Sequence, residues 1–435
     1  MSQKRWDIEE IELLRLQIND LQQQREIYNS GVKKLGKIFF REVLTVLKHK
    51  LNKKNNKKTL ESNFLTVNPN FKPYSIQTKK DLSSSKLPKI LHVIPDFGTG
   101  GSQQLIVDLI EGLNQYTHEI AVRIDKGEIQ GYIGVTVHNC SSLYSLEGFK
   151  SLLEIVKPDI VHVHYWGRWE DGYWEWKWYH HVFQGSFAYG CAVIENCNNP
   201  LMPYLNNKIK KYVYVSKYAK DTFGVKKLPN KVIYPGSNFS YFHRAGSQPE
   251  PNTIGMVYRL DQDKLNQYSI DPLIRTVQKR PGTKALVVGG GYYLELFKQK
   301  VADAGLEKQF TFPGYVAYEH LADYYRQMAI FVAPVHKESF GQVTPFAMNM
   351  AIPVVAYNVG ALEEILVNQD VLAPEQDVEA MSDILVNLLN DQNKRITIGA
   401  YNQARAQSLF SVQTMVSEYR DVYQAALSAN EPVVN

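Results

Sequence analysis

The chain has little that would anchor it in a membrane or cross-link it. Its 435 residues contain no apolar run of the ~18 residues a membrane-spanning helix needs, so no transmembrane segment is expected. Met1 to Arg5 lead straight into a charged segment with no apolar signal-peptide core, so export is not expected either. There are only three cysteines, Cys140, Cys191 and Cys197. An odd number without metal-ligand spacing argues against a disulfide framework and for a reducing compartment. The expected location is the cytoplasm. Excess charge is also scarce outside one region. Lys33 to Lys58 holds nine Lys and one Arg against one Glu, a net +9 in a chain whose total is +5, so the remainder is −4. Basicity confined to one segment speaks against a nucleic-acid groove on the main body.

What is present is ordinary globular material, 44% hydrophobic and 21% charged, enough for two cores. Residues 1–60 read as a helical, basic amphipathic extension. Ile11, Leu14, Ile18, Leu21 and Tyr28 fall on a three-four spacing interrupted by Arg25. This stripe across 8–28 suits self-association or packing on the main body. Residues 32–58 set Leu35, Ile38, Phe39, Val43, Val46 and Leu47 among lysines. Such a helix can lie on the anionic inner face of a membrane as a peripheral contact, or turn its apolar face to its own protein. Residues 61–87 are polar and read as a linker.

From Lys89 onward, short apolar runs alternate with helical stretches, the pattern of βαβ units. Strands are expected at Lys89–Ile94, His118–Arg123, Tyr132–Val137, Asp159–Val163, Cys191–Glu195 and Lys211–Val215. A second series is expected at Thr253–Val257, Lys284–Val288, Phe310–Phe312, Ile330–Ala333 and Pro353–Tyr357. Their near-continuous apolar character suits buried parallel strands. A polar gap with Gly246, Ser247, Pro249 and Pro251 separates the series. Two Rossmann-like domains are therefore expected at 88–245 and 246–408, with 409–435 forming a helix that packs back on the first domain, and a tail.

Three segments carry candidate chemistry. Pro95 to Gln104, with Gly98, Gly100 and Gly101, lies between a strand and a helix. It could present helix N–H groups to an anion, or be only a tight turn, since it lacks both the spaced dinucleotide fingerprint and the Walker ending. Tyr258 to Lys264 follows the first strand of the second series. There Arg259 could fork onto phosphate oxygens and Lys264 add a point charge. Ala333 to Met348 runs from a strand through Glu338-Ser339-Phe340-Gly341 into an apolar helix. A helix N-terminus can receive phosphate, and a carboxylate can accept from sugar hydroxyls.

The order of Arg259 and Lys264, Gly289-Gly290-Gly291, Phe312-Pro313-Gly314-Tyr315-Val316, Glu338-Ser339-Phe340-Gly341, and Gly360 with Glu364-Ile365 resembles the donor domain of family-four (group 1) retaining glycosyltransferases of GT-B fold. Gly100-Gly101, Pro158 to His164, and Tyr234-Pro235-Gly236-Ser237 resemble that family's first domain. The likeness runs from about Lys89 to Tyr423. It implies an α/β protein in which two doubly wound Rossmann-like domains face each other across a cleft. It implies transfer of a sugar from a nucleoside-diphosphate sugar to a glycan or lipid-linked acceptor, with no cofactor and no metal. Glu338, Arg259 and Lys264 are then the catalytic set. Donor binding extends to Gly100, Gly101, Gly314, Val316, Ser339, Phe340, Gly341 and Glu364. Glu364 would reach ribose or phosphate, or else cap its own helix. His164, Glu195, Asn196 and Trp166 would lie near the acceptor or the reacting sugar, with His162 a core residue. The aromatic stretch Trp166 to Tyr179 suits sugar rings, lipid headgroups or internal packing. Two positions depart from the family. Phe346 stands where a second Glu usually holds the ribose, and Asn196 aligns with a His. The departures leave room for a weakened paralogue acting as a glycan-binding or partner subunit.

Overall fold

The computed structural model describes residues 87–428, apart from 98–99, 125–133, 140–144, 166–172, 199–202, 225–226, 245 and 247–248. The N-terminal extension, with its membrane and self-association segments at 32–58 and 8–28, lies outside the described residues. So do Cys140, Trp166, Trp169 and the side chains of Tyr173, Trp174 and Trp176.

Two all-parallel sheets organise the chain. The first contains β1 (Lys89–Asp96), β2 (Thr117–Ile124), β3 (Thr136–Asn139), β4 (Ile160–Tyr165), β5 (Ala192–Cys197), β6 (Ile209–Tyr214) and β7 (Asn230–Val232), in the order β3-β2-β1-β4-β5-β6-β7. The second contains β8 (Thr253–Val257), β9 (Lys284–Val288), β10 (Phe310–Gly314), β11 (Ile330–Ala333), β12 (Val354–Tyr357) and β13 (Leu372–Ala373), in the order β10-β9-β8-β11-β12-β13. In each sheet the winding reverses at the centre, between β1 and β4 and between β8 and β11. Such a reversal opens a crevice at the carboxyl ends of the strands, where ligands of open α/β sheets bind.

The apolar runs explain the strands. β1, β4, β8, β11 and β12 are buried almost throughout, as a sheet covered on both faces requires. Of the third expected strand, Tyr132 and Ile133 lie outside the described residues; the described part begins at Thr136, after Gly134 at φ 140°, a backbone conformation outside the strand region. Two edge strands, β7 and β13, have three and two residues, too few for an apolar pattern to announce them.

Helices fill the crossovers. In the first domain these are α1 (Gly101–Gly112), α2 (Leu146–Val156), α3 (Tyr173–Tyr189) and α4 (Lys217–Phe223). Ser145 and Ser216 cap α2 and α4, each accepting from a backbone N–H three residues on. The second domain has α5 (Asp271–Lys279), α6 (Leu294–Asp303), α7 (Leu321–Gln327), α8 (Val343–Asn349), α9 (Leu362–Leu366), α10 (Val378–Asn390) and α11 (Gln392–Leu409).

The chain passes between the domains twice, and the two passages run together. Ser237 N–H donates to the Phe410 carbonyl at 2.8 Å, and Ser237 bridges to Ser411 in parallel. Beyond that point α12 (Val412–Ser428) returns to the first sheet. Its Met415, Val416, Tyr419, Val422 and Tyr423 pack in one buried cluster with Ile90, Leu105, Leu109, Ile160 and Ile194. Conversely, Phe242 and Arg244 already serve the second domain: Phe242 stacks on Phe346, and Arg244 Nε donates to the Met350 carbonyl. The change of partner therefore precedes the polar gap at 246–251.

Candidate functional site

The site is assembled where the second sheet reverses. The loop after β8 carries Arg259 and Lys264, and the loop after β11 carries Glu338. Parallel strands deliver both to the same edge. Lys264 Nζ donates to Glu338 Oε1, closing a contact between residues 74 positions apart. The Lys264 carbonyl accepts from His336 N–H at 3.0 Å, so the two loops are also tied through backbone. Phe340 N–H donates to the same Glu338 oxygen at 3.3 Å. Glu338 Oε2 is buried without a hydrogen-bond partner. The Glu338 side chain is 1% exposed while that of Lys264 is 33% exposed. An inner acid thus has one free acceptor, and an outer cation has donors to spare.

Glycines make room for this acid. Gly360 has φ 59°, and a Cβ there would lie 1.9 Å from the Glu338 carbonyl oxygen. Gly341 has φ 81°, and its Cβ would lie 2.9 Å from the Glu338 carboxyl carbon. Ala361 N–H donates to the Glu338 carbonyl at 3.2 Å, fixing the peptide from behind. Only a residue without a side chain tolerates both the left-handed backbone and the close approach. The glycine run after β9 plays the same part for the neighbouring loop. A Cβ at Gly289 would lie 1.8 Å from the Tyr258 carbonyl oxygen. Leu260 N–H donates to the Gly290 carbonyl at 2.9 Å. Gly314 accepts from Gly289 N–H and ends β10, with partly buried Val316 just beyond.

Arg259 is placed differently from its expected partner. Its guanidinium is 72% exposed and paired with Asp263 at 2.6 Å. An exposed pair of this kind is weak and easily exchanged for another anion. Asp261 and Asp263 together form an Asp-x-Asp sequence. Asp261 Oδ1 accepts from Tyr292 N–H at 2.8 Å, and Asp263 holds Arg259, so both carboxylates serve the loop.

Phe346 stands on α8 eight residues beyond Glu338, at the expected position of a second acid. Its ring stacks on Phe242 with centroids 3.8 Å apart and planes at 6°, and Tyr318 meets it edge-on. The position belongs to apolar packing. Phe340 is likewise buried, between Tyr234 and Phe410 at the junction of the domains. Ser339 is partly exposed.

Glu364 requires a correction. It caps no helix of its own domain. Its carboxylate accepts from Lys217 N–H and Tyr218 N–H, both at 3.0 Å, and from the Tyr234 hydroxyl at 3.2 Å. It caps α4 of the first domain across the interface, where an anion meets the positive end of a helix.

Gly100 and Gly101 open α1 opposite this edge. A Cβ on Gly101 would meet Gln342 Oε1 at 3.0 Å. Gln342 also reaches the Gly236 carbonyl through Nε2, at 3.4 Å. Sequence reasoning misses Gln342, although it directly follows the glycine of the Glu338 loop.

The acceptor-side residues are not at an open surface. His164, Glu195 and Asn196 have no exposed area. Glu195 accepts from Tyr204 N–H at 2.9 Å, and burial raises its carboxyl well above the usual range. Asn196 accepts from the Tyr419 hydroxyl and donates to Asn198. His164 joins other histidines in the sheet. Packing by α12 covers the face of Asn196, whereas Glu195 points to the opposite face, beside Cys197 and Tyr204.

The two doubly wound sheets, joined by a double passage and closed by a returning helix, are those of the GT-B fold. Sucrose-phosphate synthase from Thermosynechococcus elongatus superposes with a TM-score of 0.65 at 18% identity, over 79% of this chain and 100% of that one. Anabaena HepE, solved in complex with UDP, gives 0.65 at 19% identity over 78% and 100%. At such identity the likeness is one of fold.

Residues 239–405 match the family described as glycosyl transferases group 1. Among similar proteins is the lipopolysaccharide core biosynthesis mannosyltransferase LpsB of Rhizobium meliloti, 27% identical over 46% of this chain and 62% of that protein. Another is the capsular polysaccharide biosynthesis glycosyltransferase CapM of Staphylococcus aureus, 29% identical over 41% and 47%. The matched part thus spans less than two thirds of either relative. No helix among the described residues is long and apolar enough to cross a membrane.

Proposed function

We propose that this protein is a retaining glycosyltransferase that moves a sugar from a nucleoside-diphosphate sugar to a glycan or lipid-linked acceptor of a cell-surface polysaccharide or glycolipid. The observation that carries the reading is the Lys264–Glu338 contact at the reversal point of the second sheet. Breaking the glycosidic bond leaves charge on the diphosphate. Lys264, with Arg259 released from Asp263, would meet that charge, which is larger in the transition state than in the bound donor. Cations placed there make a metal unnecessary. The free oxygen of Glu338 would accept from hydroxyls of the donor sugar. Backbone around Gly341 and the α1 start at Gly100-Gly101 would border the donor. Two carboxylates flanking the bond, as retaining hydrolases use, are not required if the leaving phosphate takes the acceptor proton. The test is a panel of UDP- and GDP-sugars with linkage analysis of the product, on wild type and Lys264→Ala. The absence of both nucleotide binding and turnover with every donor would sink the proposal.

A second reading rests on Phe346. With its ring stacked on Phe242 and Glu364 engaged by α4, no acid replaces the second family Glu at either position. A non-catalytic partner or glycan-binding subunit would tolerate this. It predicts that Lys264→Ala and Glu338→Gln leave cellular function intact.

A further inference from the structure

The first domain contains a cluster of imidazoles that glycosyl transfer does not use. His162 and His164 lie two apart on β4 and therefore on one face of the sheet. His92 is the register partner of His162 on β1, and His118 follows on β2. His92, His162 and His164 have no exposed area, and α12 covers them with Tyr419 and Tyr423.

The hydrogen bonds fix most of the tautomers. The Leu113 carbonyl can only accept, so His118 Nε2 donates to it, at 3.0 Å. His118 Nδ1 must then accept from His92 Nε2, at 3.1 Å. This leaves the lone pair of His92 Nδ1 pointing toward His164 Nε2, 3.3 Å away. Tyr423 hydroxyl meets His162 Nδ1 at 2.8 Å. Two buried nitrogens, His162 Nε2 and His164 Nδ1, are left with no hydrogen-bond partner. Buried orphans of this kind carry the full desolvation penalty of an unmade hydrogen bond.

We propose that His92, His162 and His164 form a binding site for a single Zn2+ or similar late transition-metal ion, which pins α12 to the first sheet. One nitrogen from each of the three lies within 4.8 Å of the others. The 3.3 Å between His92 Nδ1 and His164 Nε2 is close to the spacing of two nitrogens sharing a tetrahedral ion with bonds of about 2.0–2.1 Å. His162 Nε2, otherwise orphaned, supplies the third lone pair. His118 and the Leu113 carbonyl hold His92 in its ligating tautomer, and the Tyr423 hydroxyl can accept from His162 Nδ1–H, which leaves Nε2 its lone pair, as outer partners of metal-bound histidines do. Neutral imidazole is the form that ligates. A thiolate- and carboxylate-free set of imidazoles suits Zn2+, Cu or Ni rather than Mg2+ or Ca2+.

The full chain is stripped with chelator and refolded with Zn2+ or Co2+, because the site has no exposed atom through which an ion could enter the folded state. One equivalent bound at micromolar or tighter affinity, a tetrahedral Co2+ absorption spectrum and a raised Tm are expected. His180→Gln/His181→Gln, a partly exposed pair elsewhere, keeps that equivalent. His162→Asn loses it. Tyr423→Phe, which removes only a hydroxyl, weakens binding about tenfold and serves as the deciding variant should His162→Asn fail to fold. No saturable uptake by wild type overturns the proposal. So does undiminished uptake by folded His162→Asn, or, where that variant does not fold, by Tyr423→Phe.

Discussion

The two sheets reverse in the same way yet use the reversal differently. In the second sheet the loops after β8 and β11 bring a partly exposed cation onto a buried acid, with an acceptor oxygen left free. In the first sheet His164 and Asn196, at the ends of β4 and β5, lie buried with Tyr419 over Asn196, and Glu195 is buried on the opposite face against Tyr204. The difference lies in what covers each edge. Glycines line the second edge and keep its backbone close without filling the space, whereas tyrosines fill the first.

The comparison is broken most forcefully at Gly360. Gly360→Ala places a methyl 1.9 Å from the Glu338 carbonyl oxygen on a left-handed backbone, and must displace the Glu338 loop. A loss of about 3 kcal/mol or more by urea denaturation is expected. In the first domain, Gly190 has φ 90°, but a methyl group added there would have nothing within 4 Å. Gly190→Ala should cost only about 1 kcal/mol. Equal losses would contradict the view that the second edge is held by close approach.

Buried acids differ in the same way. Glu338 has Lys264 beside it, whereas Asp108 on α1 is 3% exposed, accepts only from Gln104, and has one oxygen without a partner. Burial pushes Asp108 up to about 7, against its neighbour Gln104, which lowers it, and with Glu111 adding to the rise. Below about pH 4 the carboxyl is neutral in folded and unfolded chains and contributes no pH dependence. Between about 4 and 7 only the unfolded chain ionises, so stability falls as pH rises and levels off above 7. Asp108→Asn should abolish that slope and stabilise the chain at pH 8 by about 2 kcal/mol in thermal or urea melts. A slope unchanged in the variant would place the cause elsewhere.

The smallest effect is expected at the contact between the domains. Glu364→Gln keeps the shape but weakens the cap on α4, at a cost of about 1 kcal/mol. Small-angle scattering should show a slightly larger radius of gyration for the variant. An unchanged profile would mean that the paired passages at Ser237 and Ser411 fix the domains alone.

Much of this fold is legible in the sequence. Thr253–Val257, Lys284–Val288 and Ile330–Ala333 begin and end where their apolar runs do, because buried parallel strands are apolar on both faces. β13 is invisible there because two residues cannot show a pattern. The motifs single out Lys264 and Glu338, but contact across 74 positions is a property of strand order. The role of Glu364 escapes the sequence because its partner, the α4 N-terminus, is nearly 150 residues away. Phe346 announces its own departure, whereas its stacking on Phe242 depends on the chain crossing between domains earlier than the polar gap suggests. The His162-x-His164 alternation is visible, yet the cover supplied by Tyr419 and Tyr423 comes from the far end of the chain.

On the proposed function, the second sheet's reversal point binds a nucleoside diphosphate through Lys264. Titration calorimetry with UDP and GDP on wild type, Lys264→Ala and the first-domain variant His164→Asn tests it most directly. Binding of at least one nucleotide is expected, weakened about 10- to 100-fold by Lys264→Ala and little changed by His164→Asn. Binding of either nucleotide that survives Lys264→Ala intact, or is lost only with His164→Asn, would contradict it.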